Sequence, residues 1–123
     1  MKSTPRTRRL GEAFKEAIAA ILLEEIQDPR VDLATVTSIE VSPDLGLANI
    51  YVVTHGGPER QDALISGLDS AKNRIRSSLG KRVAMRIVPE LRFKIDPSVE
   101  QGMRISQVLK DEAERRPISD DRE

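Results

Sequence analysis

The chain has no cysteine, no tryptophan, a single histidine and only three aromatic side chains, Phe14, Tyr51 and Phe93. Without thiols there are no disulfides, no thiolate metal sites and no cysteine nucleophile, and a cytoplasmic setting is the default expectation. So few aromatics argue against recognition of single-stranded bases by stacking on an aromatic platform. No stretch approaches the roughly 20 apolar residues that a membrane span requires. The basic opening MKSTPRTRRLGEAFKEA has no apolar run like that of a signal peptide. No membrane association is expected. A length of 123 residues suits one domain with one modest core.

Net charge is also missing, since 20 Lys and Arg offset 20 Asp and Glu. The balance is not local. Residues 72–94 hold eight cations and one acid, residues 31–71 hold one cation and six acids, and residues 111–123 hold three and six. The first ten residues add Lys2, Arg6, Arg8 and Arg9 without an acid. Such asymmetry fits a polyanion-binding face opposed by acidic surface, and it fits a solvated mosaic equally well. If nucleic acid is the ligand, it must be recognised through phosphates and backbone shape.

The periodicity reads α-β-β-α-β-α along the chain. Thr4 and Pro5 suit a helix start, and Leu10, Phe14, Ala17, Ile18, Ile21 and Leu22 then form one apolar stripe. Asp28 and Pro29 are expected to end that helix, because a residue before proline leaves the α region. Gly11 is its weak point, costing up to about 1 kcal/mol against alanine. Thr37, Ile39 and Val41, then Ala48, Ile50 and Val52, alternate with their neighbours as two half-buried strands, joined by the turn residues SPDLG. A second helix begins near Glu59, with Leu64, Leu68, Ala71, Ile75 and Leu79 on one face and Gly80 as its terminator. A third strand is expected over residues 83–95, with Met85, Ile87, Leu91, Phe93 and Ile95 on one parity and Pro89 marking an edge or bulge. Ser98 can cap a short last helix carrying Ile105, Val108 and Leu109. The remainder, KDEAERRPISDDRE, has the composition of an acidic disordered tail over 110–123.

Catalysis finds little support. His55 stands beside Gly56 and Gly57 in an expected turn with no partner ligands. Glu24 and Glu25 are adjacent and do not converge on one helix face. Gly80 and Lys81 lack the rest of a phosphate-binding loop, with Ile75 where its first glycine would stand and Arg82 in place of Ser or Thr. Ser77 and Ser78 have no histidine near them in sequence. No catalytic residue, metal site or cofactor is expected.

Several strings carry a resemblance. These are a first helix ending in EEIQDPRV, the pair VTSIEVSPDLGLANIYVV, the charged stretch AKNRIRSSLGKRVAMRIVPELRFKID and the closing SVEQGMRISQVL. VSPDL before an A-x-I-Y-V strand, combined with RIVPELRF before D-x-S, resembles the ribosome-binding factor A family over about residues 6–109. The resemblance implies an α+β fold, a single KH-like domain of type II over residues 1–109. It implies α-β-β-α-α-β order, a kinked central helix pair, a three-stranded mixed sheet with helices on one face, and a short C-terminal helix. In that family the glycine-rich KH loop is replaced by an Ala-x-Gly kink. Ala71 matches its alanine and Asn73 stands where the glycine would be.

The resemblance also implies a monomeric, non-catalytic factor. It would bind the immature small (30S) subunit through 16S rRNA, assist late maturation and processing of that RNA, and support growth in the cold. Other assembly factors, GTPases among them, are implied partners. The RNA-binding residues expected here are Arg6, Arg8 and Arg9 at the start of the first helix, with Lys72, Arg74, Arg76, Lys81 and Arg82 on the second. Arg86 and Glu90 are expected to form a structural pair across Pro89. The competing reading is a protein-interaction module whose basic face meets an acidic protein.

Overall fold

The computed structural model describes residues 4–97. Helix α1 spans Pro5–Glu24. Its start is locally encoded: the Thr7 N–H donates to the Thr4 hydroxyl at 3.1 Å, and the Thr4 N–H donates to the Thr7 hydroxyl at 2.8 Å. This reciprocal box satisfies donors that the first turn leaves free, and Pro5 brings no donor to satisfy. Phe14, Ile18 and Ile21 of the expected stripe are fully buried.

The helix stops at Glu24, ahead of the Asp28–Pro29 break expected for it. Ile26 turns into the core instead, and the Asp28 carboxylate folds the next residues by accepting the Arg30 N–H at 2.9 Å.

Strands β1 (Thr35–Val41) and β2 (Leu47–Val53) pair antiparallel, with an irregularity between Val36 and Ser38 that leaves Thr37 unpaired. The Thr37 hydroxyl lies 2.7 Å from the Asp96 carboxylate and ties that bulge to the far edge of the sheet. In the connecting turn the Ser42 hydroxyl accepts the Gly46 and Leu47 N–H groups at 3.1 and 3.0 Å. Helix α2 (Pro58–Arg82) then crosses over, and β3 (Glu90–Ile95) returns parallel to β2, giving the mixed order β1-β2-β3. Ala48, Ile50, Val52, Leu91 and Phe93 share one sheet face and one buried cluster with Phe14, Ile18, Leu64, Leu68, Ile75 and Leu79. Residues of the opposite parity, Ser38, Arg92 and Lys94 among them, point away from that cluster, and Arg92 and Lys94 are exposed. Helices therefore cover one face, as expected for this class.

Three further expectations about the elements are corrected. The central helix pair is one continuous helix through Ala71 and Asn73. Among the described residues, the non-glycine positions with positive φ are Leu33, Leu45 and Ala84, so Asn73 keeps helical backbone. Asparagine costs only tenths of a kcal/mol in a helix, and Leu68, Ile75 and Leu79 on either side anchor the same buried face.

Gly80 does not end the helix. The left-handed residue is Ala84, at φ 54°, and the Met85 N–H donates back to the Gly80 carbonyl at 2.9 Å. That return bond is a Schellman ending, in which a left-handed residue lets the chain satisfy the last carbonyls.

The third strand begins only at Glu90. Residues 83–89 are consumed by the helix ending and a loop, so Ile87 is 77% exposed rather than on the core parity. The expected helix after Ser98 and the acidic tail lie outside the described residues.

Candidate nucleic-acid interface

The expected RNA-binding residues separate into free and committed groups. Arg6, Arg8 and Arg9 are exposed on the first turns of α1, where they have no acidic neighbour in the first turn. Cations there oppose the helix dipole, so helix stability does not account for them. Arg6 and Arg9 line a groove of about 720 Å³ whose other wall includes Leu45 and Met85. Lys81 is exposed on the last turn of α2. Arg74 is exposed, with only a loose 3.9 Å approach to Glu25. Lys72 is half-buried, 3.5 Å from Asp69 one turn earlier.

Two of the expected contacts are committed to the fold. The Arg82 guanidinium lies 2.8 Å from Glu24 and 3.0 Å from Glu25, which pins the end of α2 to the end of α1. Those two carboxylates sit at the negative end of the α1 dipole, an unfavourable place that a cation corrects. Arg76 donates from Nε to the Pro89 carbonyl at 3.2 Å and from Nη2 to the Val88 carbonyl at 2.8 Å. Ala71 is half-buried against the core. Asn73 is exposed and, with Arg76, Ser77 and Arg86, lines a shallow cleft of about 410 Å³.

The expected Arg86–Glu90 pair does not form. Glu90 instead accepts from Arg92 at 3.1 Å, because residues two apart on a strand share a face. Arg86 is left exposed on the loop before β3 rather than on the strand expected to carry it. The i,i+2 spacing of Glu90 and Arg92 was the available clue.

The Glu25 carboxyl is held below the ordinary glutamate value, first by the Ser78 hydroxyl donating to it at 2.6 Å and then by Arg82. Folding lowers this pKa. Its contribution to stability is therefore complete above the ordinary value near 4.5 and is lost as the pH falls below it. Glu25→Gln is expected to flatten the fall in thermal midpoint between about pH 5 and 3, followed by circular dichroism. An unchanged pH slope would remove Glu25 from the acid response.

Among the described residues, no group of three or more His, Asp or Glu is placed to hold a metal ion. Nor is any described helix long and apolar enough to cross a membrane. Phe14 and Phe93 are core residues, and the Tyr51 hydroxyl donates to Glu40 at 2.9 Å. The exposed residues expected to bind RNA are cationic, and the aromatic side chains are not displayed as a platform.

Comparison with known proteins bears on the family and the fold. The family model described as ribosome-binding factor A matches residues 6–109. Ribosome-binding factor A of Caldanaerobacter subterraneus is 42% identical over 107 residues, 86% of this chain and 88% of that protein. The crystal structure of ribosome-binding factor A from Thermus thermophilus superposes with a TM-score of 0.65 at 29% identity, covering 72% of this chain and 93% of that one. A Thermus thermophilus ribosome binding factor A model, fitted into a cryo-EM map of its complex with 30S, gives a TM-score of 0.55 at 29% identity over 76% of this chain and 93% of that one. The match spans both helices and all three strands, and the mixed sheet with helices on one face is the KH-like α+β arrangement of these relatives. The chain belongs to the ribosome-binding factor A family.

Proposed function

We propose that this protein binds the immature small ribosomal subunit through its 16S rRNA and assists late maturation of that RNA without catalysing a reaction. The observation that carries the reading is the set of exposed cations: Arg6, Arg8 and Arg9 on α1, and Lys81, Arg86 and Arg74 on and after α2, with Arg74 only loosely approached by Glu25. Each cation set against a phosphate releases a condensed counterion, so binding of this kind is strong at low salt and weakens steeply as salt rises. With no exposed aromatic platform among the described residues, shape and phosphates are what such a surface reads. The 30S complex of the Thermus relative supports the choice of ligand. Binding alone is the proposed activity. One of the carboxylate–hydroxyl pairs, Glu25 with Ser78, is joined to Arg82 rather than to a base. The protein would act in the cytoplasm as a monomer, alongside other assembly factors.

The test is sedimentation of cell extract through a gradient at low salt. The protein is expected with free small subunits and not with translating ribosomes. Migration only at the top of the gradient would overturn the reading. Co-migration that survives nuclease digestion of the RNA would favour an acidic protein partner instead.

A further inference from the structure

We propose that the loop 84–88 is a preformed phosphate-binding ridge, in which Arg86 contacts RNA and Arg76 is the positioning residue that holds it out. The proposal rests on the RNA-binding reading above and adds a specific phosphate contact to it.

The loop is fastened at both ends. At its start, the Val83 and Met85 N–H groups return to the Leu79 and Gly80 carbonyls at 3.0 and 2.9 Å, with Ala84 left-handed between them. A non-glycine residue in that conformation costs about 1–2 kcal/mol, so the geometry is imposed by its surroundings. At its end, Arg76 grips the Val88 and Pro89 carbonyls, Pro89 is fully buried, and the Glu90 N–H donates to the Gly46 carbonyl at 3.0 Å. Gly80 makes the middle possible, since a Cβ there would stand 2.9 Å from the Val88 Cγ2. Arg86 and Ile87 are what this frame leaves outside, Ile87 being 77% exposed.

The ridge divides two concave surfaces. On one side Met85 forms a wall of the groove that contains Arg6 and Arg9. On the other, Arg86, Ile87 and Val88 face Asn73, Arg76 and Ser77 of α2 across the shallow cleft. Arg86 thus stands on the cleft side of the ridge, one residue from the Met85 wall of the arginine-lined groove, and among the described residues it has no ion pair. A guanidinium held on a rigid loop loses little freedom when it meets a phosphate, and it presents a fork suited to phosphate oxygens. Such a ridge suits the phosphodiester backbone of folded RNA.

The experiment measures affinity of the full chain for purified small ribosomal subunits across a salt series, with thermal melts in parallel. Arg86→Gln is expected to weaken binding about tenfold, to lessen the slope of log affinity against log salt by about one, and to leave the midpoint unchanged. Arg76→Gln is expected to lower the midpoint and to lessen the slope similarly. The double variant should bind no more weakly than Arg76→Gln alone, because the displaced loop no longer offers Arg86. Additive losses would overturn the positioning role. Wild-type affinity and slope in Arg86→Gln, or a loss of affinity at unchanged slope (a protein contact), would overturn the phosphate site. Wild-type binding that does not respond to salt would instead overturn the RNA reading itself.

Discussion

Gly11→Val is expected to lower the thermal midpoint by about 10–20 °C, corresponding to roughly 2–3 kcal/mol in a domain of this size. A Cβ at position 11 would lie 2.9 Å from the Ile39 carbonyl oxygen of β1. The obstacle is backbone in the middle of a paired strand, so neither a rotamer change nor a small side-chain shift relieves it. The whole of α1 would have to lift from the sheet, loosening Phe14 and Ile18, which are fully buried beneath it. Alanine gives the sharper test of sign. On helix propensity alone Gly11→Ala should stabilise by about 1 kcal/mol. The close approach predicts a lower midpoint instead. Thermal or urea unfolding of both variants decides, and a more stable alanine variant would show that α1 can move outward at little cost.

Charge reversal at the start of α1 should have the opposite profile. Arg6→Glu with Arg9→Glu is expected to reduce affinity for small subunits by at least about 100-fold, since each charge-assisted hydrogen bond to a phosphate is worth roughly 1.5–3 kcal/mol. Stability should hold or rise slightly, since an acidic residue at position 6, in the first helical turn, gains about 0.3–1 kcal/mol from the dipole. Neither arginine has an ion partner among the described residues to be left behind. Weaker binding with an intact midpoint separates function from folding. Equal binding by variant and wild type would take the α1 groove out of the interface. Reversing Arg76 would not separate them, because that side chain holds the Val88 and Pro89 carbonyls.

How far the sequence can be read follows from the range of each interaction. Thr4 and Pro5 start a helix, and the alternation through Ile39, Ile50 and Phe93 marks strand faces, because these effects act within a few residues. Pro89 does mark a place where ladder pairing is interrupted, yet a strand drawn through it by parity is too long. Parity cannot distinguish a strand from a helix ending that happens to place Met85 and Ile87 two apart. The family pattern, with glycine at the place of Asn73, implies a bend there, but the apolar residues on either side keep the helix continuous. The cationic segment is visible as composition. Which of its charges are available is not, since Arg82 is held by residues 57 and 58 positions away.

By itself the sequence determined the order of the described helices and strands, most of the apolar residues that form the core, the family, and the concentration of positive charge in two separate stretches. Only the tertiary structure decided that β3 lies parallel beside β2, that Gly11 is a seat for the sheet, and that Arg76 and Arg82 hold the fold while Arg86 stands exposed at the rim of a cleft beside α2. The physical reason is that periodicity records only how a chain meets its own neighbours. Ion pairs, close backbone approaches and clamped loops depend on where distant segments meet.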